Sequence, residues 1–597
     1  MPTSKTQQPT SPPTRTSPLP LAGVLTGVLL TFASTFTFGW VYDDQPQIPQ
    51  NPNLQWSRLG FLFTHQLWAS MSGSQGRFYR PFLSLWFLIN KTVFGLNPHW
   101  FHVTSVLAHV AATALVFFIA SKLLKDTGSA LLAAAIFGLH PLQAESASWI
   151  SSVNDPLAAA LCFASFLTCR KAAAMQDKAV AWWTLSGFLF LSALLTKEVS
   201  VVLPVIILID LWANSYRSNS LQPDSPSMPP SPSPRRFPLA VFSTYGIAAV
   251  LWLSLRSRAL RTAQPASSSL PWSTIVLTAP KILLFNLYRT VLPVGLSPHY
   301  DFRPIQSLGG QFLLTLLALL ALATLAVKAA RRDRQLRTAG LWTAFAWLIL
   351  PVLPTLNLRL MNEDDFIHDR YTYMSMLGVA LLAGFACSWL RDYWIRKKWP
   401  HLQLVPLLAA AIIVILAFAS AIQSQYWADD VSLFSRAVSR APENEWAQLN
   451  YGSALSDRHR YADAAPHFVR SYELKPGWRA ADFAAFSYQQ SGDLPQAERW
   501  FTTALQQDPA LANAWFGLAQ IRLAQHNPDQ AIDFLNQALT IQPDAEGYHY
   551  ELGAALEQAS RPSDALTAYQ RELQLHPYQV GAAKAINRLQ SAGVQAR

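Results

Sequence analysis

The chain has 597 residues, of which 51% are apolar and only 14% charged, with a formal charge of +11. A water-soluble chain of this length carries about 25% charged residues, so a wholly soluble multidomain protein is excluded and much of the chain belongs in a membrane. The charge is unevenly divided: residues 1–425 hold 32 Lys/Arg against 16 Asp/Glu, and residues 426–597 hold 14 against 19. A basic membrane half is joined to an acidic soluble half, and the positive surplus gives no reason to invoke nucleic acid.

In chain order, residues 1–20 are rich in Pro, Ser and Thr with Lys5 and Arg15, and read as a disordered cytoplasmic N-terminus. The apolar stretch 21–40 is too long for a signal-peptide core and lacks a small-residue cleavage site, so the expectation is a retained first transmembrane helix. Ten further spans follow at 102–124, 129–140, 156–169, 179–196, 199–212, 237–255, 311–327, 341–356, 371–390 and 402–422. Two other stretches are interrupted: 78–94 by Arg80 and Lys91, and 272–293 by Pro280, Lys281 and Arg289. A charge at the centre of a span costs about 2.5–3.5 kcal/mol on insertion scales, which argues against counting either as a crossing.

Excluding both leaves 11 crossings and collects the basic clusters on one side. These are Lys122 and Lys125; Arg170, Lys171 and Lys178; Arg217, Arg235 and Arg236; Lys328, Arg331, Arg332, Arg334 and Arg337; and Arg391, Arg396, Lys397 and Lys398. That side is cytoplasmic by the positive-inside rule. The two interrupted stretches then become interfacial or re-entrant helices within the outer loops 41–101 and 256–310. The Pro/Ser-rich segment 214–238 is a flexible cytoplasmic loop, and the acidic domain faces a periplasm or lumen. The C-terminal GVQAR is no retention signal and favours a bacterial inner membrane. Cys162, Cys169 and Cys387 all lie in or beside apolar segments and imply no disulfide framework.

From residue 426 the sequence repeats. Pro442, Pro476, Pro509, Pro543 and Pro577 are 33 or 34 residues apart, Ala497, Ala531 and Ala565 keep the same period, and Gly452, Ala485, Ala519 and Gly553 recur where two helices must approach closely. This is the pattern of four or five tetratricopeptide hairpins, with a terminal capping helix over 581–595. Such a solenoid offers a concave surface for a peptide or protein and no chemistry of its own. His459, His467, His526, His549 and His576 lack metal-ligand spacing and read as solvated or partner-facing.

Polar residues gather beside the outer ends of the apolar spans. They are the pair Asp43 and Asp44, Arg80, His140 and Glu145, Asp155, Lys197 and Glu198, Tyr300 and Asp301, and Asp369 and Arg370. Cations, a carboxylate pair and interfacial aromatics suit a lipid-linked phosphate sugar. Arg and Lys would neutralise the phosphate, a carboxylate would take the proton of an acceptor hydroxyl, and the lipid tail would lie in a groove between helices. A solvated helix end explains Asp43-Asp44 equally well when that pair is taken alone. His102 and His109, seven residues apart, read as packed polar residues, and no metal site is expected.

At these residues the chain resembles a known family. The Asp43-Asp44 pair after the first helix looks like the acidic motif of the GT-C glycosyltransferases, which use polyprenyl-phosphate-linked sugars. The closer likeness is to the transmembrane and tetratricopeptide-repeat O-mannosyltransferases. VYDDQPQIPQN, FYRPFLSLWFLIN, FHVTSVLAHV, HPLQAESASWISSVND, LTKEVSVVLP, LPVGLSPHYDF and HDRYTYMSMLG occur in that family's order, followed by the repeats. The resemblance implies an all-α fold: a GT-C-like membrane domain over 21–425 and a repeat domain over 426–597. It implies an inverting, metal-independent transfer of a sugar such as mannose from a polyprenyl phosphate to Ser or Thr of a protein held by the repeats. By similarity Asp43 or Asp44 is the base or organises it, and Arg80, Lys197 and Arg370 hold the donor phosphate. Asp369 stands where the family tends to have Glu. His140, Glu145, Asp155, Glu198, Tyr300, Asp301 and Asp369 are possible lining positions. Two other readings remain open: a GT-C transferase acting on an envelope glycan or lipid, and a membrane-anchored repeat scaffold without enzymatic activity.

Overall fold

The computed structural model describes residues 19–69, 78–175, 179–220, 236–261, 270–332, 339–360, 366–401 and 404–596. The N-terminal 1–18 and most of the Pro/Ser-rich loop, 221–235, lie outside the described residues. Helix is the only regular structure among those described. They fall into two compact units, one of Met1–Pro298 with Phe302–Leu433 and the other of His299–Asp301 with Phe434–Arg597.

In the first unit every stretch read as a span contains a helix among its described residues, and so do the two interrupted stretches, as Pro81–Phe94 and Trp272–Val291. Seven helices among the described residues are long and apolar enough to cross a membrane: Leu19–Thr37, Pro98–Leu124, Ile150–Ala174, Ala179–Thr196, Leu239–Ala259, Gly310–Lys328 and Leu404–Gln425. The chain is therefore an integral membrane protein. The other four expected spans form Thr127–Leu139, Leu203–Ser220, Ala339–Ile349 and Met376–Arg396. Two of these are short, and the other two carry charges such as Asp210 and Arg391.

Helix starts follow their local chemistry. Asn97 accepts from the His99 amide just ahead of Pro98, and Asp126 accepts from the Ser129 amide. The core is built from Phe137, Phe163, Phe166, Phe190, Tyr245 and Trp347 with small residues between them, and Cys162 and Cys169 pack there as free thiols. Arg170 donates twice to Asp210, at 2.6 and 2.8 Å, and Thr343 donates to the same carboxylate at 2.7 Å, which ties three helices together. His102 and His109 are buried, hydrogen-bonded to the carbonyls of Gly39 and Gly138 respectively; His109 also meets the Tyr373 hydroxyl at 2.6 Å. They pack as the sequence suggested.

In the second unit four hairpins pair Glu445–Asp457 with Tyr461–Leu474, Trp478–Ser491 with Leu494–Gln507, Ala512–Ala524 with Pro528–Ile541, and Tyr548–Gln558 with Pro562–Leu575. Helix Val580–Ser591 closes the row. The periodic prolines stand just beyond each second helix. Gly452 and Gly553 face the rings of Phe468 and Tyr569, where a Cβ would collide. The turn inside three hairpins takes a left-handed residue, His459, His526 or Ser560, and the remaining hairpin has Gly492 at that place. His459 and His526 are thus turn residues, which accounts for their periodic spacing without any ligand role.

Candidate active site

The turn after the first helix is built on four sides. The Asp44 amide donates to the Val41 carbonyl at 3.1 Å, and Asp44 Oδ2 accepts from the Val41 amide at 3.0 Å. Asp44 Oδ1 accepts from the amide and hydroxyl of Ser151 at 2.8 and 2.6 Å. Asp44 is fully buried. Burial pushes its pKa up from 3.8 to about 7, although the Ser151 and Val41 hydrogen bonds pull it down. Its oxygens are committed to holding the turn. Asp43, one residue earlier, instead lines a cavity of about 120 Å³.

That cavity brings together residues spread over more than 300 positions of sequence. Asp43, Arg80, Asp155, Lys197, Glu198 and Arg370 all line it, with Trp149, Ser151, Asn154 and Tyr371 among them. The three cations are held by three carboxylates. Arg80 donates to both oxygens of Glu198 at 3.0 and 2.6 Å, and Lys197 Nζ donates to Asp155 at 2.6 Å. Arg370 donates through its guanidinium and its amide to Glu145 at 3.0 and 3.2 Å. Burial holds the Lys197 ammonium below its usual pKa; Asp155 opposes this, and the positive charges of Arg80 and Arg370 push further down. Burial would raise the Glu198 carboxyl, but Arg80 and then Lys197 hold it at about 2. Arg370 lies over the Trp149 ring at 4.7 Å and over Tyr371 at 5.5 Å, so its planar face is fixed.

The remaining expected residues stand elsewhere. Glu145 is buried behind Arg370 and does not line the cavity. His140 is buried as well, accepting from the Leu142 amide at 3.3 Å. It caps a short helix. Asp369 is turned away onto Arg289, which also donates to Asn286 at 2.6 Å. Tyr300 and Asp301 are absent from the lining and group with the repeat unit. In the sequence Arg289 reads only as a charge interrupting an apolar stretch. Its full burial opposite Asp369 makes it the anchor of the segment carrying Arg370. Trp149 lies inside SASWISSVND, where an uncharged aromatic among small residues gives no signal of a site.

A second, apolar groove of about 990 Å³ runs between helices Trp272–Val291, Gly310–Arg332, Ala339–Ile349 and Met376–Arg396, lined by Leu287, Leu319, Trp342, Phe345 and Leu382 among others. Among the described residues no three His, Cys, Asp or Glu are grouped as metal ligands.

Fold and cavity together define a polytopic helical membrane domain followed by a tetratricopeptide solenoid. The family model for dolichyl-phosphate-mannose-protein mannosyltransferases matches residues 80–226, and that for the tetratricopeptide repeat matches residues 488–556. Protein O-mannosyl-transferase TMTC1 of Homo sapiens is 25% identical over 78% of this chain and 57% of its own. Protein O-mannosyl-transferase TMTC3 of Mus musculus is 23% identical over 90% of this chain and 62% of its own. The chain thus resembles the transmembrane and tetratricopeptide-repeat O-mannosyltransferases over most of its length, while spanning about three-fifths of the relatives it matches. Among solved structures, that of the MamA protein covers 25% of this chain and 82% of its own at 16% identity, with a TM-score of 0.24.

Proposed function

We propose that the protein transfers mannose from a polyprenyl-phosphate donor to Ser or Thr of a protein acceptor on the periplasmic face, with the repeats recruiting that acceptor. The observation that carries this reading is the convergence of Asp43 with Arg80, Lys197 and Arg370 on one cavity. The acceptor oxygen attacks the anomeric carbon while the bond from that carbon to the phosphate oxygen breaks, with inversion. The hydroxyl proton passes to the Asp43 carboxylate, and polyprenyl phosphate leaves with its added charge met by the three cations. No metal enters this scheme, because guanidinium and ammonium groups do the neutralising. The apolar groove suits a prenyl chain, and helix Trp272–Val291 connects the two sites: Leu287 lines the groove and Arg289 holds Asp369, next to Arg370.

The test is reconstitution of the purified full chain in liposomes with polyprenyl-phosphate mannose and a Ser/Thr protein, read by mass spectrometry. A hexose increment on the protein, retained in excess EDTA, is the expected result. Loss in EDTA would overturn the metal-independent scheme. A hexose appearing only on a glycan or lipid would transfer the reading to that acceptor class, and no transfer with any acceptor would leave a scaffold.

A further inference from the structure

Asp43 follows a residue in an unusual conformation. Tyr42 has φ +55°, the left-handed region that a bulky side chain occupies only under strain. Asp43 itself sits at φ −65°, ψ −9°, and the turn closes on Asp44. A positive φ at the first central position is that of a type II′ turn, where glycine is usual. A tyrosine persists there only if its surroundings compensate. Two of the compensating contacts come from far along the chain. The Tyr42 amide donates to Asp430 Oδ1 at 2.7 Å. The Tyr42 ring stacks on Trp149 at 5.6 Å, and Trp149 stacks in turn on Trp427 at 5.3 Å. Trp149 also donates through its indole to the Val41 carbonyl at 3.2 Å.

We infer that Trp427 and Asp430 are positioning residues for the Asp43 carboxylate, clamping the strained Tyr42 turn from the segment that follows the last apolar helix. This rests on the proposed role of Asp43 as base. Trp427 and Asp430 belong to the first unit and come shortly before Phe434, the first residue of the main stretch of the second. A charged acceptor on a partly buried amide makes a strong hydrogen bond, and its loss leaves the turn free to relax to a right-handed or extended Tyr42. Asp43 would then be displaced while the three cations stayed in place.

The experiment compares full-length wild type, Asp430→Ala, Asp430→Asn, Trp427→Ala and Tyr42→Gly in liposomes, with the donor described above and a short Ser/Thr peptide, alongside amide hydrogen exchange of residues 40–44. Asp430→Ala should lower kcat at least tenfold with donor KM within about twofold, since the phosphate cradle is untouched, whereas Trp427→Ala should lower kcat as much and also raise donor KM, because Trp149 carries Arg370. Asp430→Asn retains an acceptor oxygen and should stay within about threefold of wild type. In the Tyr42→Gly background, where no strain has to be held, Asp430→Ala should lose less activity than it does alone. Exchange of the Tyr42 amide should rise in Asp430→Ala and not in Asp430→Asn. Asp430→Ala at wild-type kcat and wild-type exchange overturns the clamp, and so does an Asn variant as impaired as the Ala variant. An inactive wild type would instead defeat the transferase reading, and the exchange comparison would still decide the clamp.

Discussion

Two neighbouring aspartates carry different assignments because their oxygens have different partners. Asp43 lines the cavity, while both oxygens of Asp44 are spent on Val41 and Ser151. Asp43→Asn should therefore lower kcat by about 10²–10⁴ through loss of the base, leaving thermal unfolding in detergent unchanged. Asp44→Asn should lower the unfolding temperature, and because Asp44 holds the turn that carries Asp43, kcat should fall with it. An amide in that pocket turns its NH2 toward a backbone N–H, which costs about 1–3 kcal/mol for the lost acceptor and lowers the unfolding temperature. The same carboxyl gives a pH signature. Its folded pKa, raised to about 7, exceeds the ordinary 3.8, so the folded state keeps the proton longer. The stability it contributes is complete below about pH 4 and is lost as pH rises through about 7. The stability of wild type minus that of Asp44→Asn should accordingly fall between those limits, and a difference that rises or stays flat from pH 4 to pH 8 would contradict the assignment. From sequence alone the two carboxylates are adjacent and equivalent. Only the backbone donors of Val41 and Ser151, the latter more than 100 positions away, separate them.

At the level of elements, legibility followed periodicity and composition. Each apolar stretch became a helix because its side chains offer no other way to satisfy the backbone in an apolar medium. The repeats were readable because period, proline and small residue all express one hairpin. The ion pairs were not readable, since Arg289 with Asp369 and Glu145 with Arg370 join segments with no local signal of their meeting. Nor was Tyr300-Asp301 placeable, because proximity in sequence to apolar helices says nothing of the unit a loop packs with. Close helix packing offers a sharper test. At Gly378 an added Cβ would meet the backbone of Leu348 and the carbonyl of Ala344, atoms that cannot swing aside. At Gly384 the first contact would be the end of the Leu124 side chain. Gly378→Ala should therefore lower the unfolding temperature clearly, with overpacking worth about 1–3 kcal/mol. Gly384→Ala should be milder, and equal effects in differential scanning fluorimetry would show that helices Ala339–Ile349 and Met376–Arg396 are not in the contact described.

For the whole molecule, the division of charge coincides with the division of work in the proposed function. The basic half contains the cavity and the acidic half the hairpins, so under that proposal acceptor capture and transfer are separable, with tethering acting through effective concentration. Deleting residues 441–597 keeps Trp427 and Asp430, and should preserve transfer to a short peptide at saturating concentration while depressing transfer to a folded protein at least tenfold. Deleting from residue 426 onward removes both clamp residues as well and should abolish peptide transfer too. The comparison has meaning only if the cavity faces the compartment that holds the acceptor. With 11 crossings and the N-terminus inside, a reporter fused after Ile422 should be active on the periplasmic side, and fusions within 214–238 on the cytoplasmic side. The two interrupted helices are the point of leverage. If either Pro81–Phe94 or Trp272–Val291 crosses the membrane, every later loop changes side, and Arg391, Arg396, Lys397 and Lys398 would lie outside against the positive-inside rule. Cysteine labelling from both faces at Ser57, Lys125, Gly309 and Lys398 decides between these arrangements: Ser57 and Gly309 accessible outside with Lys125 and Lys398 inside supports the 11-span count, and Lys125 or Lys398 accessible outside would reverse it.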